Sequence, residues 1–174
     1  MARNDTFFLR TKLATSTTDY VSSDIDIDPY VDPARGRVLV IDRSFITFGT
    51  VGNGPIGASN VVASSTGSKG MGVQVCSETQ TGLVEMTDNS LIAKVNYYAA
   101  VNPAGALSMV QELSALNPTD YVAGMIVPTS KIHCAAKTGS AWNTELDIGF
   151  LFEVHTEKLS LQRIQELLVS LTAN

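Results

Sequence analysis

The chain has 174 residues, of which 44% are hydrophobic and 17% are charged, and it carries a net charge of -5 at pH 7. This length is enough for one domain with its own core, and the hydrophobic fraction excludes a disordered chain. The acidic balance argues against a protein whose main task is gripping nucleic-acid phosphates, because that task needs clustered Lys and Arg. The charged fraction lies below the roughly 25% usual in soluble domains, which favours association because like-charge repulsion between copies is weak.

The N-terminal segment has two interpretations. Residues 6–14 (TFFLRTKLA) can form a first strand or an arm, and we expect residues 1–18 to extend as an arm from a single domain over 1–174. The first residues contain no apolar core of a secretory signal. No apolar run reaches the roughly 18–20 residues that cross a bilayer, so we expect no transmembrane segment.

An acidic segment follows the arm. Its aspartates are Asp24, Asp26, Asp28 and Asp32. Alternation with Ile25 and Ile27 predicts a strand with one wet and one dry face, and Pro29 limits that strand to a sheet edge or a strand end. Carboxylates that project from one face repel each other, and a bound Ca²⁺ would relieve the repulsion. Three interpretations stay open: a solvated edge that blocks aberrant strand pairing, a cation site, and an ion-paired contact with Arg or Lys of another copy.

The next part of the chain combines a clear strand with a long segment of small residues. Residues 37–48 (RVLVIDRSFITF) carry apolar groups on both faces, so we expect the first half of this strand to be covered on both sides. In residues 49–72, the spacing Gly52-x-Gly54-x-x-Gly57 matches the dinucleotide-binding fingerprint in form. That fingerprint needs a helix after its third Gly, and we expect this segment to stay a loop within the domain.

The second half of the chain predicts further strands and two helices. Runs of β-branched and aromatic residues bounded by turn residues are typical of strands and lie at 73–77, 82–86, 91–99, 121–127, 131–137 and 146–154. Asn102-Pro103 predicts the start of a helix, with a stripe at helical spacing formed by Leu107, Val110, Leu113 and Leu116. A final helix follows Ser160, and we expect its leucine-rich stripe to pack on the sandwich or on a neighbour.

These elements together predict the fold. About eight strands without βαβ alternation indicate an all-β protein: a two-sheet antiparallel sandwich of jelly-roll type, with a short inter-strand helix and a C-terminal helix. The clearest alternation lies in the strand 146–154. Its apolar residues, which we expect to face the core between the sheets, are Leu146, Ile148, Phe150, Phe152 and Val154.

No catalytic or cofactor site can be assembled from the sequence. His133 and Cys134 are adjacent on a predicted strand, so they point to opposite faces and cannot ligate one ion together. Cys76 and Cys134 lie in apolar runs, where a free cysteine acts as a small hydrophobe. The motifs Gly-x-Ser-x-Gly, His-x-x-x-His and Cys-x-x-Cys are absent, and we expect a protein that is not an enzyme. Trp142, in a polar turn, is expected either to mark a contact or to fold over the sandwich edge.

Four segments carry a resemblance: the opening ARNDTFFLRTKL, the strand RVLVIDRSFITF after the acidic segment, and the closing KIHCAAK and LDIGFLFEVHTEKL. With its strands, arm and small-residue loops, the chain resembles the single jelly-roll capsid proteins of icosahedral viruses. The resemblance implies a virion protein without an active site, which self-assembles into capsomers and a shell in the host cytoplasm. Its partners would be copies of itself and other virion proteins. The arm contains only Arg3, Arg10 and Lys12 as cations, so we expect no strong nucleic-acid binding.

A jelly-roll module that recognises carbohydrate or a cell surface is the alternative. Such a module is expected to line up aromatic side chains on a solvent-facing sheet and usually to carry an export signal. The chain has only five Tyr and one Trp, which favours the structural role.

Overall fold

The computed structural model describes residues 6–52, 54–63, 66–112, 117–118 and 124–171, and these ranges contain nine strands and two α-helices. The strands are β1 (Phe7–Thr15), β2 (Val21–Asp26), β3 (Arg37–Thr50), β4 (Gly67–Cys76), β5 (Leu91–Val101), β6 (Leu107–Glu112), β7 (Met125–Val127), β8 (Lys131–Thr138) and β9 (Leu146–Lys158). The helices are α1 (Ala58–Val61) and α2 (Leu161–Leu171), and short 3₁₀ turns span Asp28–Tyr30 and Pro33–Arg35.

The strands form two antiparallel sheets with jelly-roll topology. One sheet has the order β1-β9-β3-β7 and the other has the order β2-β8-β4-β5-β6. The pairs are nested along the chain, since β1 pairs with β9, β2 with β8, β3 with β7 and β4 with β5. Strand β6 is added beside β5 at the edge of the second sheet. This nesting is that of a double Greek key, so the predicted jelly-roll sandwich is confirmed.

The core lies between the two sheets and depends on alternation along β9. As predicted, the buried side chains of this strand are Leu146, Ile148, Phe150, Phe152 and Val154. In β3, Leu39 and Ile41 belong to the same core, while Val38 and Val40 are fully buried on the opposite face of the strand. The prediction that the first half of β3 is covered on both sides is therefore confirmed.

The prediction of a helix that starts at Asn102-Pro103 is wrong for the residues that the structure describes. Residues 107–112 form β6, which pairs antiparallel with β5. Leu107 and Val110 fit helical spacing, but two apolar positions in a short segment do not exclude a strand, and the pairing with β5 decides. The other members of the predicted stripe, Leu113 and Leu116, lie outside the described residues.

The short helix lies instead within 49–72, which we expected to be loop throughout. Gly57 N donates to Asn60 Oδ1 at 2.7 Å and closes the first turn of α1. The helix has only four residues, and β4 begins at Gly67 inside the same segment. A single turn does not provide the helix that a dinucleotide-binding fingerprint requires.

Residues 77–90, which we name the cover loop, run over the outer face of the second sheet, so the strand predicted at 82–86 is wrong. Val84 N donates to Gln74 Oε1 at 2.8 Å, and Gln74 Nε2 donates to Gly82 O at 2.8 Å. The backbone of this segment forms both hydrogen bonds with the Gln74 side chain of β4. These bonds take the place of backbone pairing with a neighbouring strand.

The N-terminal segment contributes a strand to the sheet of its own chain. Of the segment 1–18 that we expected as an arm, residues 7–15 form β1 and pair with β9, and residues 1–5 lie outside the described part. The apolar side chains of β1 alternate toward the core, and Leu13 is buried there. Of the two interpretations of residues 6–14, the structure has the strand.

Only part of the apolar stripe predicted for helix α2 packs against the rest of the chain. Ile164 is buried, whereas Leu161, Leu168 and Val169 are exposed. Near the end of the helix, Asn89 Nδ2 of the cover loop donates to the carbonyl oxygen of Ser170 at 2.7 Å.

Truncation of Phe150 tests the register of β9. The change Phe150→Ala removes a buried ring and leaves a cavity, so we expect the free energy of unfolding to fall by about 3–5 kcal/mol. Phe8→Ala is the matched control, because that ring on the paired strand β1 is about half exposed and should cost about 1 kcal/mol or less. Chemical denaturation of the variants measures both values, and equal losses would contradict the register.

Candidate functional site

The acidic segment does not form one cluster. Asp24 lies opposite His133 in the β2–β8 register, and Asp24 Oδ1 is 2.5 Å from His133 Nδ1. Lys131 Nζ, two register positions away on β8, donates to Asp24 Oδ2 at 3.1 Å. An ion-paired contact was one of the interpretations from the sequence, and here the cationic partner of Asp24 comes from the same chain.

The other three aspartates have local roles or face solvent. Asp26 Oδ1 accepts from Asp28 N at 3.0 Å at the start of the 3₁₀ turn, and Asp28 is exposed. Asp32 Oδ1 accepts from Arg35 N at 3.2 Å and pairs with the Arg35 guanidinium. Among the residues that the structure describes, no three carboxylate, imidazole or thiol groups converge as metal ligands would. A Ca²⁺ site in this segment stays a prediction.

A polar network lies behind Asp24, beneath the cover loop. Gln74 Nε2 donates to the Tyr20 hydroxyl oxygen at 3.1 Å, and that hydroxyl is 3.0 Å from His133 Nε2. The Asp24 carboxylate can only accept, so His133 Nδ1 donates to it, and the Tyr20 hydroxyl, which accepts from Gln74, forms the remaining hydrogen bond with His133 Nε2. His133 and Gln74 are both fully buried. The imidazole is therefore closed to solvent, and we name these hydrogen-bonded residues the His133 network.

Two groups of the His133 network have pKa values that depart from their ordinary values. Burial alone would raise the pKa of Asp24, but hydrogen bonds from His133 and Lys131 and their charges outweigh it and hold the pKa below its ordinary value. Burial raises the pKa of the Tyr20 hydroxyl, which therefore stays protonated at neutral pH.

Neither cysteine is placed for nucleophilic chemistry. Cys76 and Cys134 are free and fully buried, as the apolar runs around them predicted. Burial raises the pKa of Cys76 to about 12 and also raises the pKa of Cys134, so both remain thiols at neutral pH. His155 lies elsewhere, with its Nδ1 2.7 Å from Asp42 Oδ2 at the bulge in β3.

The turn that contains Trp142 folds inward. Its indole is buried in the core cluster and stacks on Tyr97 with ring centroids 6.1 Å apart, and Tyr97 in turn stacks on Phe48 at 4.4 Å. Trp142 therefore folds over the edge of the sandwich, which is one of the two expectations from the sequence.

A solvent-facing surface that the sequence did not reveal lies on the outside of the first sheet. Where β1, β9 and β3 run side by side, four rows of residues are directed away from the core, and we name this surface the β1–β9–β3 face. From one end to the other its rows are Phe8, Glu153 and Arg43; Arg10, Leu151 and Phe45; Lys12, Gly149 and Thr47; and Ala14, Asp147 and Gly49.

Aromatic rings and cations share the β1–β9–β3 face. Phe8 and Phe45 are each about half exposed, and the Arg10 guanidinium lies 5.8 Å from the centre of the Phe8 ring. A groove of about 440 Å³ is floored by Gly149 and bordered by Lys12, and it lies at the end of the face away from Phe8. The alternation Phe8, Arg10, Lys12 is visible in the sequence, but its position beside β3 requires the register of β9.

Two apolar patches lie elsewhere on the surface. The edge patch, on β5 and β6, contains Tyr98 and Val110, which oppose each other on the outer face of the sheet, and the helix patch, on α2, contains Leu161, Leu168 and Val169. A further open groove of about 370 Å³ borders the edge patch.

Two comparisons, with family models and with curated proteins, assign no relative to this chain. No family model matches it, and no curated protein matches it either. Within the described residues, neither helix has the length and hydropathy needed to cross a bilayer.

The lowered pKa of Asp24 predicts a pH-dependent contribution to stability. A carboxyl whose folded pKa lies below its unfolded value of about 3.9 stabilises the fold above that value, and the contribution is lost as pH falls through the folded pKa. Asp24→Asn keeps an acceptor oxygen and removes the charge, so it should destabilise the protein at neutral pH by about 1 kcal/mol or less, since this carboxylate is partly exposed.

Urea denaturation of both proteins between neutral pH and pH 3 measures this difference. The gap between Asp24→Asn and the unsubstituted protein should close as the pH falls. Asp28→Asn, an exposed carboxylate in the same segment, is the control and should leave stability unchanged throughout. A gap for Asp24→Asn that persists unchanged at pH 3 would show that the charge of Asp24 is not its cause.

Proposed function

We propose that this chain is a structural virion protein, a capsid subunit that self-assembles through copies of itself into capsomers and a shell. The observation that carries the proposal is the presence of two separate apolar patches, the edge patch and the helix patch, on one jelly-roll domain. Contiguous apolar side chains on the surface of a soluble domain commonly mark a protein–protein contact.

The arrangement of the patches favours an assembly of many copies. The edge patch lies on the two strands at one edge of the second sheet, and the helix patch lies on α2, which follows β9 in the chain. Two different patches on one subunit allow head-to-tail contacts, which close into rings or continue into larger assemblies. The low fraction of charged residues supports the same role, because repulsion between copies is weak.

As a capsid subunit the protein would have no catalytic activity of its own, and it would reside in virions assembled in the host cytoplasm. The buried cysteines and the closed His133 network are consistent with this role, because neither offers an accessible nucleophile or base. Other virion proteins are the further partners that the role implies.

Charge insertion into the two patches tests the proposal. Val110→Lys and Val169→Lys place a charge in the edge patch and the helix patch, and each should shift the protein toward smaller species. Val51→Lys is the matched control, since Val51 is similarly exposed in a turn outside both patches. Light scattering after size-exclusion chromatography and electron microscopy should show rings or shells for the unsubstituted protein and for the control. A monomer at every concentration would contradict the proposal.

A non-enzymatic jelly-roll binding module is the second candidate, and one observation favours it. Phe8 and Phe45 are two exposed aromatic rings on one sheet face, which is how such modules present a surface to carbohydrate. A monomeric protein that binds an immobilised glycan, and loses that binding in Phe8→Ala, would favour this candidate over the shell subunit.

A further inference from the structure

We propose that the β1–β9–β3 face binds single-stranded nucleic acid, by stacking unpaired bases on its two aromatic rings and pairing phosphates with its three cations. This inference does not rest on shell assembly, because every residue it uses lies on one subunit and outside the two apolar patches.

The aromatic rings have the placement that base stacking requires. Phe8 and Phe45 lie in adjacent rows and on the two strands that flank β9. Two strand spacings of about 4.8 Å and one two-residue step of about 6.8 Å separate them, so their Cα atoms lie roughly 12 Å apart. Both rings stand on a rigid antiparallel sheet, the type of surface on which aromatic side chains stack two or three unpaired bases. Arg10 beside Phe8 adds a cation at the same ring.

The outward charge of the face is positive although the chain as a whole is acidic. Lys12 is paired with Asp147, but the Lys12 side chain is 74% exposed and the Asp147 side chain only 9%. Arg43 is paired with Glu153 in the same way, with exposures of 61% and 27%. Both carboxylates are recessed behind their partners, and Arg10 is exposed as well. A polyanion approaching this surface therefore meets three cations first.

The groove beside Lys12 extends the face. Gly149 and Gly49 leave it without side chains on the floor, and a Cβ at Gly149 would lie 2.6 Å from Thr47 Oγ1. Its side-chain donors are the Lys12 ammonium and the Thr47 hydroxyl, which also lies 3.5 Å from Gly149 O, and the Asp147 carboxylate lines the groove as well. A strand that stacks on Phe45 can continue along β3 and place its next phosphate against these donors.

Three cations predict modest, salt-dependent affinity, which agrees with the expectation that binding is not strong. For single strands each neutralised phosphate contributes about -0.7 to the slope of log affinity against log salt, so three cations give a slope of about -2. A basic tail would give a much steeper slope, and this difference makes the proposal measurable.

The test is fluorescence anisotropy of labelled oligothymidylate and oligouridylate on the purified full chain, with a duplex of the same length. Both single strands should bind more tightly than the duplex, whose bases are not free to stack, and a preference between them would tell DNA from RNA. Phe8→Ala and Phe45→Ala should each weaken binding about fivefold or more. The double variant Arg10→Gln/Arg43→Gln should reduce the salt slope from about -2 to about -0.7.

Two matched controls address aromatic and cationic residues elsewhere on the molecule. Tyr98→Ala removes a similarly exposed ring from the second sheet, and Arg163→Gln removes an exposed cation from α2. Both should leave affinity and salt slope unchanged. The protein carrying Val110→Lys and Val169→Lys should still bind, and this result separates failure of the shell proposal from failure of this one.

Four results would overturn the proposal. They are absence of single-strand binding at low salt, equal losses in Tyr98→Ala and Phe45→Ala, binding of a neutral oligosaccharide but not of either strand, and variants of the face that alter oligomeric state while binding is unchanged. Should an alanine variant fail to fold by circular dichroism, photo-crosslinking of the unsubstituted protein to a thiouridine-containing strand decides. Crosslinked peptides that contain Phe8 or Phe45 support the face, and crosslinks confined to other peptides refute it.

Discussion

The period-two alternation of β9 is the constraint on which both the core and the open surface depend. This strand pairs with β1 on one side and β3 on the other. Its apolar residues from Leu146 to Val154 face the core, so its remaining residues from Asp147 to Glu153 must form the centre of the β1–β9–β3 face. A slip of one residue would expose the core set and bury the charged set at once. The burial that stabilises the sandwich therefore also fixes which residues of β9 lie on its outer surface.

The outer faces of the two sheets differ because of one buried polar network. Gln74 and His133 are removed from water, and the cover loop and Tyr20 supply hydrogen bonds to them in its place. Buried polar groups of this kind are costly unless fully paired, so the network holds the loop in place. The first sheet has no such cover over β1 and the second half of β3 in the described residues. One face of the subunit is consequently closed and the other is open.

Sequence patterns predicted an element correctly where its own residues determine its structure. They failed where pairing with a strand distant in sequence determines it. The alternation of β9 and the two-sided burial of β3 were legible, because each depends on its own residues. Strand β6 was mistaken for a helix, since Leu107 and Val110 fit both periods until β5 pairs with them. Asp24 looked like one of four equivalent carboxylates, and only the register with β8 distinguishes it. The β1–β9–β3 face needs three strands in register, which no local pattern contains.

The two proposed roles make compatible demands on one subunit. Contacts between copies would use the edge patch and the helix patch. The edge patch lies at one edge of the second sheet, and the helix patch lies on α2, which follows β9 in the chain. The β1–β9–β3 face occupies the other sheet and the half of β9 away from α2. Neighbours that cover the two apolar patches therefore leave the aromatic and cationic face uncovered. An assembly in which every subunit turned this face to one side would present many weak sites together, and multivalent contact raises avidity well above the affinity of one site.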